Sequence, residues 1–373
     1  MLSDKKIDYY LKKIDSPSNK ILSDTFKKLN TELQSVNLSF MAKVSLKTLF
    51  KESVRLRDRY NQYVLRNSDL VNSNLNSPIF VIGLPRSGTT YLHNLLIHFL
   101  DRDGFEFWEL TEPIPYFKNK FLDQKFRKFK TFSLLFLSKI FVPNLQSMHP
   151  VKTDSYEECW HLFKHSLNVY NIDFQFNFPE FGKWIKENTM PTAYKEYSDL
   201  VKILFNERNK KDLVLKCPDH IIFYDLILKN FNNPKIIWIH RDPVKVISSY
   251  SSMMYEVQKF FLKEPNKKDV GKFVSDRFLY MVQEGQKIRD RDNISVIDIN
   301  YIDIKNNPEK TMFQIADQCG LSIKNPNPFG TIKKLGKLKN KKSYIPEDFG
   351  INKREIHERF DSYIKKYNVF LET

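Results

Sequence analysis

Four short apolar runs, separated by long stretches with helical periodicity, dominate the pattern of hydrophobic positions along the chain. They cover residues 79–82, 213–218, 235–239 and 294–299 and are rich in Ile, Val and Leu. Runs of this length without polar alternation are typical of strands that are buried on both faces of a parallel sheet. Because the strands would alternate with helices, the pattern predicts an α/β fold with a parallel sheet flanked by helices.

The part of the chain before the first run is predicted to be helical. Apolar residues recur at helical spacing over residues 7–14, 26–33 and 45–65. We therefore expect residues 1–76 to form a helical N-terminal extension packed on a core domain of residues 77–373.

Later segments also predict elements outside the sheet. Residues 105–115 contain paired prolines and aromatic residues, which indicate an ordered loop that lines a cleft. Helical spacing predicts helices over 117–141, 154–163 and 353–367. We expect residues 105–165 to form a cap over an acceptor pocket.

The turn after the first apolar run carries the most informative residues. Gly83 and Gly88 are separated by four residues, which is the spacing of a P-loop between a strand and a helix. Such a loop directs backbone N–H groups at an anion. A nucleotide triphosphatase would need Lys and then Ser or Thr after the second glycine, but here Thr89 and Thr90 follow, and the loop cation is Arg86. The loop therefore predicts a phosphate-like ligand bound without a metal.

Composition and charge narrow the class of protein. The chain has 373 residues, of which 41% are hydrophobic, so it is long and apolar enough for one large α/β domain. The net charge of +16 indicates an anionic partner: a nucleotide, a nucleic acid or a membrane surface.

The cysteines and the apolar segments bear on the compartment. Cys159, Cys217 and Cys319 are far apart, so they predict neither a disulfide framework nor a zinc site. The N-terminus lacks an apolar core of signal-peptide length, and the most apolar stretch, residues 132–145, is interrupted by Lys139 and Pro143. These features predict a cytoplasmic protein without a membrane anchor.

The loop resembles that of sulfotransferases that use 3′-phosphoadenosine-5′-phosphosulfate (PAPS). Residues 85–90, Pro-Arg-Ser-Gly-Thr-Thr, match their 5′-phosphosulfate loop in its arginine form. That form occurs in tyrosylprotein sulfotransferases and in the broad bacterial sulfotransferase branch, whereas cytosolic animal enzymes carry lysine. The resemblance extends over residues 78–310 and implies a P-loop-like sheet in a PAPS-dependent sulfotransferase domain.

Three further motifs extend the resemblance. Lys216-Cys217-Pro218 is similar to the Lys-Ser-Pro segment of the family, and Arg241 and Ser249, eight positions apart, reproduce its 3′-phosphate motif. Tyr301 begins a segment that is similar to a family segment near the adenine of PAPS. A basic stretch late in the chain, around Lys339, resembles a family loop that closes over the 3′-phosphate. The resemblance thus implies the following cofactor-binding residues: Arg86, Ser87, Gly88, Thr89, Thr90, Arg241, Ser249, Tyr301 and Lys339.

The resemblance also implies the reaction. A sulfuryl group would move from PAPS to an acceptor hydroxyl, with Arg86 and Lys216 neutralising charge on the oxygens and a carboxylate taking the proton. No metal is implied, and His149 and His165 lack the spacing of metal ligands.

Four residues are candidates for the base. Glu109 is placed first, because it follows the loop by about the interval of the catalytic glutamate in tyrosylprotein sulfotransferases. His220 is expected within the cleft near Lys216, and we include it among the catalytic residues. Glu158 is interpreted as the acidic first turn of a helix, where it would complement the helix dipole. His149 is the fourth candidate.

The acceptor is the least determined part of the prediction. The aromatic and aliphatic residues of 105–141 favour an apolar pocket and hence a sterol or another lipophilic alcohol. Carbohydrate, phenol and amine acceptors stay open. The basic, amphipathic residues 117–141 permit peripheral membrane contact, or they form a cap helix or an ordinary solvated face.

Two other classes of protein also stay open. A nucleotide kinase or NTPase would use the same loop, but it lacks the Lys-Ser/Thr pair. A basic nucleic-acid-binding protein would explain the charge but not the ordered anion motifs, so nucleic acid is not the expected partner.

Overall fold

A sheet of four parallel strands, in the order β2-β1-β3-β4, forms the centre of the computed structural model. The structure describes residues 19–73, 75, 77–141, 150–177, 179–208, 211–323, 330 and 345–372. The strands are β1 (Ile79–Ile82), β2 (Val214–Lys216), β3 (Lys235–His240) and β4 (Val296–Asn300). Each strand coincides with one of the four apolar runs to within one or two residues at its ends, and the predicted α/β class with a P-loop-like sheet is confirmed.

Both faces of the sheet are buried, which explains why the strands lack polar alternation. Phe80 of β1 and Trp238 of β3 face one apolar cluster, whereas Val81 and Ile237 face the other. Side chains of a strand alternate between the two faces, so a strand with helices on each side has to be apolar at consecutive positions.

Helices surround the sheet. The α-helices before β2 are α1 (Lys20–Gln34), α2 (Phe40–Arg66), α3 (Ser68–Val71), α4 (Thr89–Phe99), α5 (Phe107–Thr111), α6 (Lys120–Phe141), α7 (Asp173–Phe176), α8 (Pro179–Asn188) and α9 (Met190–Glu207). Those after β2 are α10 (Tyr224–Asn230), α11 (Pro243–Phe261), α12 (Lys267–Asp292), α13 (Tyr301–Asn306), α14 (Pro308–Gln318), α15 (Lys353–Arg359) and α16 (Asp361–Lys366). Short 3₁₀ helices cover Cys159–Ser166, Tyr170–Ile172, Pro218–Ile222 and Pro346–Phe349.

The first helices pack on the sheet domain. Phe26 of α1 and Phe50 of α2 contact each other with ring centroids 4.1 Å apart, and both belong to the apolar cluster that includes Phe80. Arg57 of α2 forms a buried ion pair of 2.7 Å with Glu196 of α9. The domain boundary at residue 76 stays a prediction, and the helical pattern at 7–14 lies outside the described residues.

Three predicted elements are corrected. Residues 105–115 are not a loop throughout, because they contain α5, whose first turn carries a capping box between Glu106 and Glu109. Residues 154–163 do not form one helix: Ser155 accepts a hydrogen bond from the N–H of Phe107, so this stretch is extended against α5 and only a 3₁₀ helix follows. Residues 353–367 form two helices that meet at the buried Phe360.

None of the helices in the described part of the chain is long and apolar enough to cross a membrane.

Candidate active site

The loop after β1 turns sharply at three positions with positive φ. These are Gly83 at 146°, Arg86 at 71° and Gly88 at 98°. At Gly83 a Cβ atom would lie 2.6 Å from the backbone oxygen of Ile239, and at Gly88 it would lie 3.0 Å from the ring of Tyr301. The glycines are thus required by conformation and by close approach. Helix α4 begins directly at Thr89, so its first backbone N–H groups face the loop.

One hydroxyl of the loop fits an anionic ligand. Ser87 is buried, and its Oγ has no hydrogen-bond partner among the residues that the structure describes. A buried polar atom is rarely left without a partner. An oxygen of a phosphate or sulfate group in the loop would satisfy it, so the residues present fit the 5′ end of PAPS.

Arg86 and Arg241 join two motifs that are distant in sequence. The Nε of Arg86 donates to the Oγ of Ser249 at 3.1 Å, and Nη1 of Arg241 donates to the backbone oxygen of Arg86 at 2.9 Å. Ser249 lies on α11, which begins after Arg241 and has Asp242 as its N-cap. Hydrogen bonds thus bring two arginines and a hydroxyl together at the end of the strands.

Tyr301 completes this group of residues at the end of β4. The guanidinium of Arg241 lies 3.8 Å from the centroid of the Tyr301 ring, which is a cation–π contact. The same ring packs against Gly88. We call Arg86, Ser87, Lys216, Arg241, Ser249 and Tyr301 the strand-end site, because they lie on or after the carboxyl ends of the four strands, where open α/β sheets bind ligands.

A residue near the C-terminal end of the described chain also reaches Arg241. Both carboxylate oxygens of Glu372 accept hydrogen bonds from Arg241, from Nε at 2.6 Å and from Nη2 at 3.0 Å. The N–H of Glu372 in turn donates to Asp242 at 2.9 Å. Sequence reasoning missed this contact, because no local motif links residues 131 positions apart.

Lys216 is the cation at the end of β2. Its fully buried side chain donates to Oε1 of Glu158 at 3.0 Å and to the hydroxyl of Thr90 at 3.3 Å. Burial lowers the pKa of Lys216, but the charges of Glu158 and Glu157 outweigh it, so the pKa rises above its usual value. The amine is therefore a permanent cation between the loop and a carboxylate.

Glu158 lies at the start of a helix, as expected, but this is the 3₁₀ helix Cys159–Ser166, of which it is the N-cap. Its side chain makes no capping hydrogen bond there, whereas its carboxylate contacts Lys216. The sequence shows two adjacent acidic residues, Glu157 and Glu158, before an apolar segment. It does not show the partner of Glu158, because Lys216 lies 58 residues away in the chain.

Asp219 is a second carboxyl group that sequence reasoning did not select. It follows Lys216-Cys217-Pro218 by one position and is buried at the start of a 3₁₀ helix. Burial, followed by the negative charge of Glu158, raises its pKa to about 8. The carboxylate of Glu158 therefore favours the protonated form of Asp219.

Glu109 contacts other residues than Glu158 and Asp219 do. Its Oε2 accepts the N–H of Glu106, and its Oε1 lies 2.9 Å from Nε of Arg208. Burial raises its pKa to about 7, although Arg208 acts in the opposite direction. The expected desolvation is thus present, but the described contacts of Glu109 are to α5 and Arg208. Its role as base stays a prediction.

The histidines and the late basic stretch stand apart from these contacts. His220 is fully buried, its Nδ1 lies 2.7 Å from the hydroxyl of Tyr194, and burial lowers its pKa to about 3. It packs against the ring of Phe80, which belongs to the aromatic cluster on one face of the sheet. His149 and Lys339 lie outside the described residues. In the described part of the chain, no group of three or more His, Cys, Asp or Glu residues is placed to hold a metal ion.

Comparisons with known proteins identify the family and the fold. The sequence model of the sulfotransferase family matches residues 78–325. The structure is similar to that of sulfotransferase STF9 from Mycobacterium avium, with a TM-score of 0.79 and 17% sequence identity, over 99% of this chain and 97% of that chain. It is similar to sulfotransferase STF1 from Mycobacterium tuberculosis H37Rv, with a TM-score of 0.77 and 18% identity, over 97% of this chain and 99% of that chain.

A comparison with curated protein sequences gives no match. The two solved structures support the fold, and the family model covers every residue of the strand-end site. The resemblance read from the loop and from Arg241 and Ser249 is therefore confirmed: the chain belongs to the sulfotransferase family.

Proposed function

We propose that this enzyme transfers the sulfuryl group of PAPS to the hydroxyl of a lipophilic alcohol, with a sterol as the first candidate, and that Glu158 accepts the proton. The observation that carries the proposal is the position of Lys216. Its amine contacts Thr90 of the loop and the carboxylate of Glu158 at once. One buried cation thus links the donor loop to a base.

The residues of the strand-end site would hold the donor. Arg86, Ser87, Gly88, Thr89 and Thr90 would bind the 5′-phosphosulfate through the guanidinium, the hydroxyls and the N–H groups at the start of α4. Arg241 and Ser249 would bind the 3′-phosphate, and Tyr301 would lie at the adenine end. When bound, PAPS supplies the sulfuryl group, and we propose that no metal takes part.

The chain's own groups would promote transfer in two ways. Arg86 and Lys216 would neutralise negative charge that develops on the leaving oxygens, in a site where burial strengthens electrostatic interactions. The carboxylate of Glu158, whose side chain is 20% exposed, would be accessible to an acceptor hydroxyl and would take its proton at a carboxylate oxygen.

The other candidates for the base are less suited to that role. Both oxygens of Glu109 already have partners in α5 and Arg208. His220 has a depressed pKa and sits among aromatic rings, which favours a neutral core histidine. We therefore place Glu158 before Glu109 and His220.

An apolar acceptor is supported by the side chains of α5. Phe107 and Trp108 are buried, and Phe107 packs against the ring of His161 in the 3₁₀ helix that follows Glu158. A sugar would need polar side chains there, whereas a sterol or a long-chain alcohol would be accommodated by aromatic and aliphatic groups.

The test is an acceptor screen with the purified full chain and PAPS. A sterol, a long-chain alcohol, a sugar, a phenol and an amine are compared at equal concentration, and products are detected by the mass of one added sulfo group. We expect transfer to the sterol or the alcohol and no hydrolysis of ATP with Mg²⁺. Transfer only to the sugar, phenol or amine would contradict the acceptor, and transfer to none would contradict the activity.

We also propose that the enzyme works in a reducing compartment, namely the cytoplasm. Cys159, Cys217 and Cys319 are all buried free thiols, and proteins of oxidising compartments more often pair their cysteines.

A further inference from the structure

Helix α6 exposes an apolar face that covers most of its length. Phe121 and Phe129 are 63% and 68% exposed, and the other large exposed apolar side chains of this helix are Leu122, Phe126, Phe132, Leu134, Phe136, Leu137 and Ile140. An exposed apolar surface of this extent is unusual for a monomeric soluble protein and marks an interaction site. We call this set of residues the α6 face.

The opposite side of α6 packs on the rest of the protein. These contacts prevent the helix from rotating to bury the α6 face. Asp123, Arg127, Thr131 and Leu135 recur every fourth residue and are buried. Arg127 pairs with Asp123 at 2.7 Å and with Glu207 of α9 at 2.8 Å. Since a buried ion pair is costly to expose or to break, these contacts hold the orientation of the helix.

The charges of the helix indicate the partner. Asp123 is its sole acidic residue and is buried against Arg127, whereas Lys120, Lys125, Lys128 and Lys139 are exposed. The α6 face is thus bordered by positive charge with no exposed negative charge from the same helix. Phenylalanines combined with lysines are typical of a helix that lies in the headgroup region of an anionic bilayer, where lysine stems extend toward the phosphates.

We propose that the α6 face binds the surface of a membrane that contains anionic lipids, with its phenylalanines in the acyl boundary and its lysines at the headgroups. A second copy of this chain fits less well. A symmetric contact through this face would place the same lysines of both copies near one another, and like charges repel. Binding would be peripheral, since no described helix can span the bilayer.

Membrane binding would bring the enzyme to lipophilic acceptors. This consequence rests on the function proposed above, whereas the proposal of membrane binding does not. Helix α6 contacts α5 through the hydroxyls of Thr111 and Thr131, which are 2.9 Å apart. Lys128 lies near the ring of Trp108, which precedes Glu109. The membrane surface would therefore lie next to α5, which we assign, together with Glu109 and Glu158, to the side of the site that would take the acceptor (the acceptor side).

The experiment is flotation of the full chain with vesicles of phosphatidylcholine alone and of phosphatidylcholine with phosphatidylserine. We expect binding to the second kind and release by added salt, because surface charges are screened. The double variant Phe129→Ser/Phe132→Ser should lose affinity by about tenfold or more for each phenylalanine. Lys125→Gln/Lys139→Gln should weaken binding and reduce its dependence on salt.

The matched control is Phe40→Ser, which removes a phenylalanine that is 77% exposed at the start of α2 and should leave vesicle binding unchanged. Circular dichroism and thermal unfolding verify that each variant is folded. Failure of the parent to bind anionic vesicles, or equal binding by the Phe129/Phe132 double variant, would overturn the proposal. A lipid-free dimer that this variant dissociates would assign the face to a second copy instead. None of these readouts depends on sulfuryl transfer, so failure here leaves the proposed reaction standing.

Discussion

The strand-end site and the acceptor side are built on different principles. Arg86, Lys216, Arg241 and Tyr301 lie at the end of a strand or within four residues after it, so the parallel sheet brings them together. On the acceptor side, Glu109 and Glu158 are positioned by partners at remote positions, Arg208 and Lys216. The first arrangement is determined by local sequence and topology, and the second by tertiary contacts.

The strongest test of this difference is the replacement of Arg86. Arg86→Ala should lower the rate of sulfuryl transfer roughly 10²–10³-fold, because a charge-stabilising donor is lost, while the protein stays folded. Arg86→Lys should retain part of the activity without the planar fork. Initial rates and thermal unfolding measure both effects, with Arg354→Ala as a control at an exposed arginine. A rate equal to the parent's would remove Arg86 from the mechanism.

A second test separates the carboxylates of the acceptor side. Glu158→Gln should lower kcat by about 10²-fold or more, because the base is lost, with unchanged affinity for adenosine 3′,5′-bisphosphate. Glu109→Gln, which keeps the shape of the side chain, should have a much smaller effect. The reverse order would restore Glu109 as the base, and Asp219→Asn is the next variant if neither changes kcat.

A third test concerns the phosphate that Arg241 is proposed to bind. Loss of a charge-assisted contact costs roughly 1.5–3 kcal/mol, or about tenfold to a hundredfold in affinity. Arg241→Ala should therefore weaken binding of adenosine 3′,5′-bisphosphate but not of adenosine 5′-monophosphate. Calorimetry with the two nucleotides measures the difference. Equal losses for both would refute the assignment to the 3′-phosphate.

The smallest expected effect is on stability and involves Glu109. Burial raises its pKa from the usual 4.5 to about 7, so the folded state favours the protonated form. Its stabilising contribution is complete below pH 4.5 and is lost as the pH rises through about 7. Urea unfolding of Glu109→Gln should thus depend less on pH in this window than that of the parent, or of the exposed control Glu358→Gln. An unchanged slope would show that Glu109 does not titrate there.

The limits of sequence reasoning follow the same division. Three features were predictable from the sequence: the four strands, the turn at Gly83 and Gly88, and the grouping of Arg241 with Ser249. Each depends on a local pattern, namely the period of apolar residues, the spacing of two residues or the end of a strand. The contact of Glu158 with Lys216 was not predictable, because the extended stretch before the 3₁₀ helix is set by hydrogen bonds to α5. The contact of Glu372 with Arg241 was equally hidden, since nothing near Glu372 marks its destination.

The bidentate contact of Glu372 with Arg241 makes this carboxylate a tethered competitor for the anion that we assign to Arg241. A group on the same chain has a high effective concentration. The apparent affinity of a nucleotide is therefore its intrinsic affinity multiplied by the fraction of molecules in which Arg241 is not bound to Glu372. Release of Glu372 would also free its N–H from Asp242. Binding of adenosine 3′,5′-bisphosphate should therefore accelerate hydrogen exchange at the Glu372 amide, although ligands usually slow exchange in the sites they occupy.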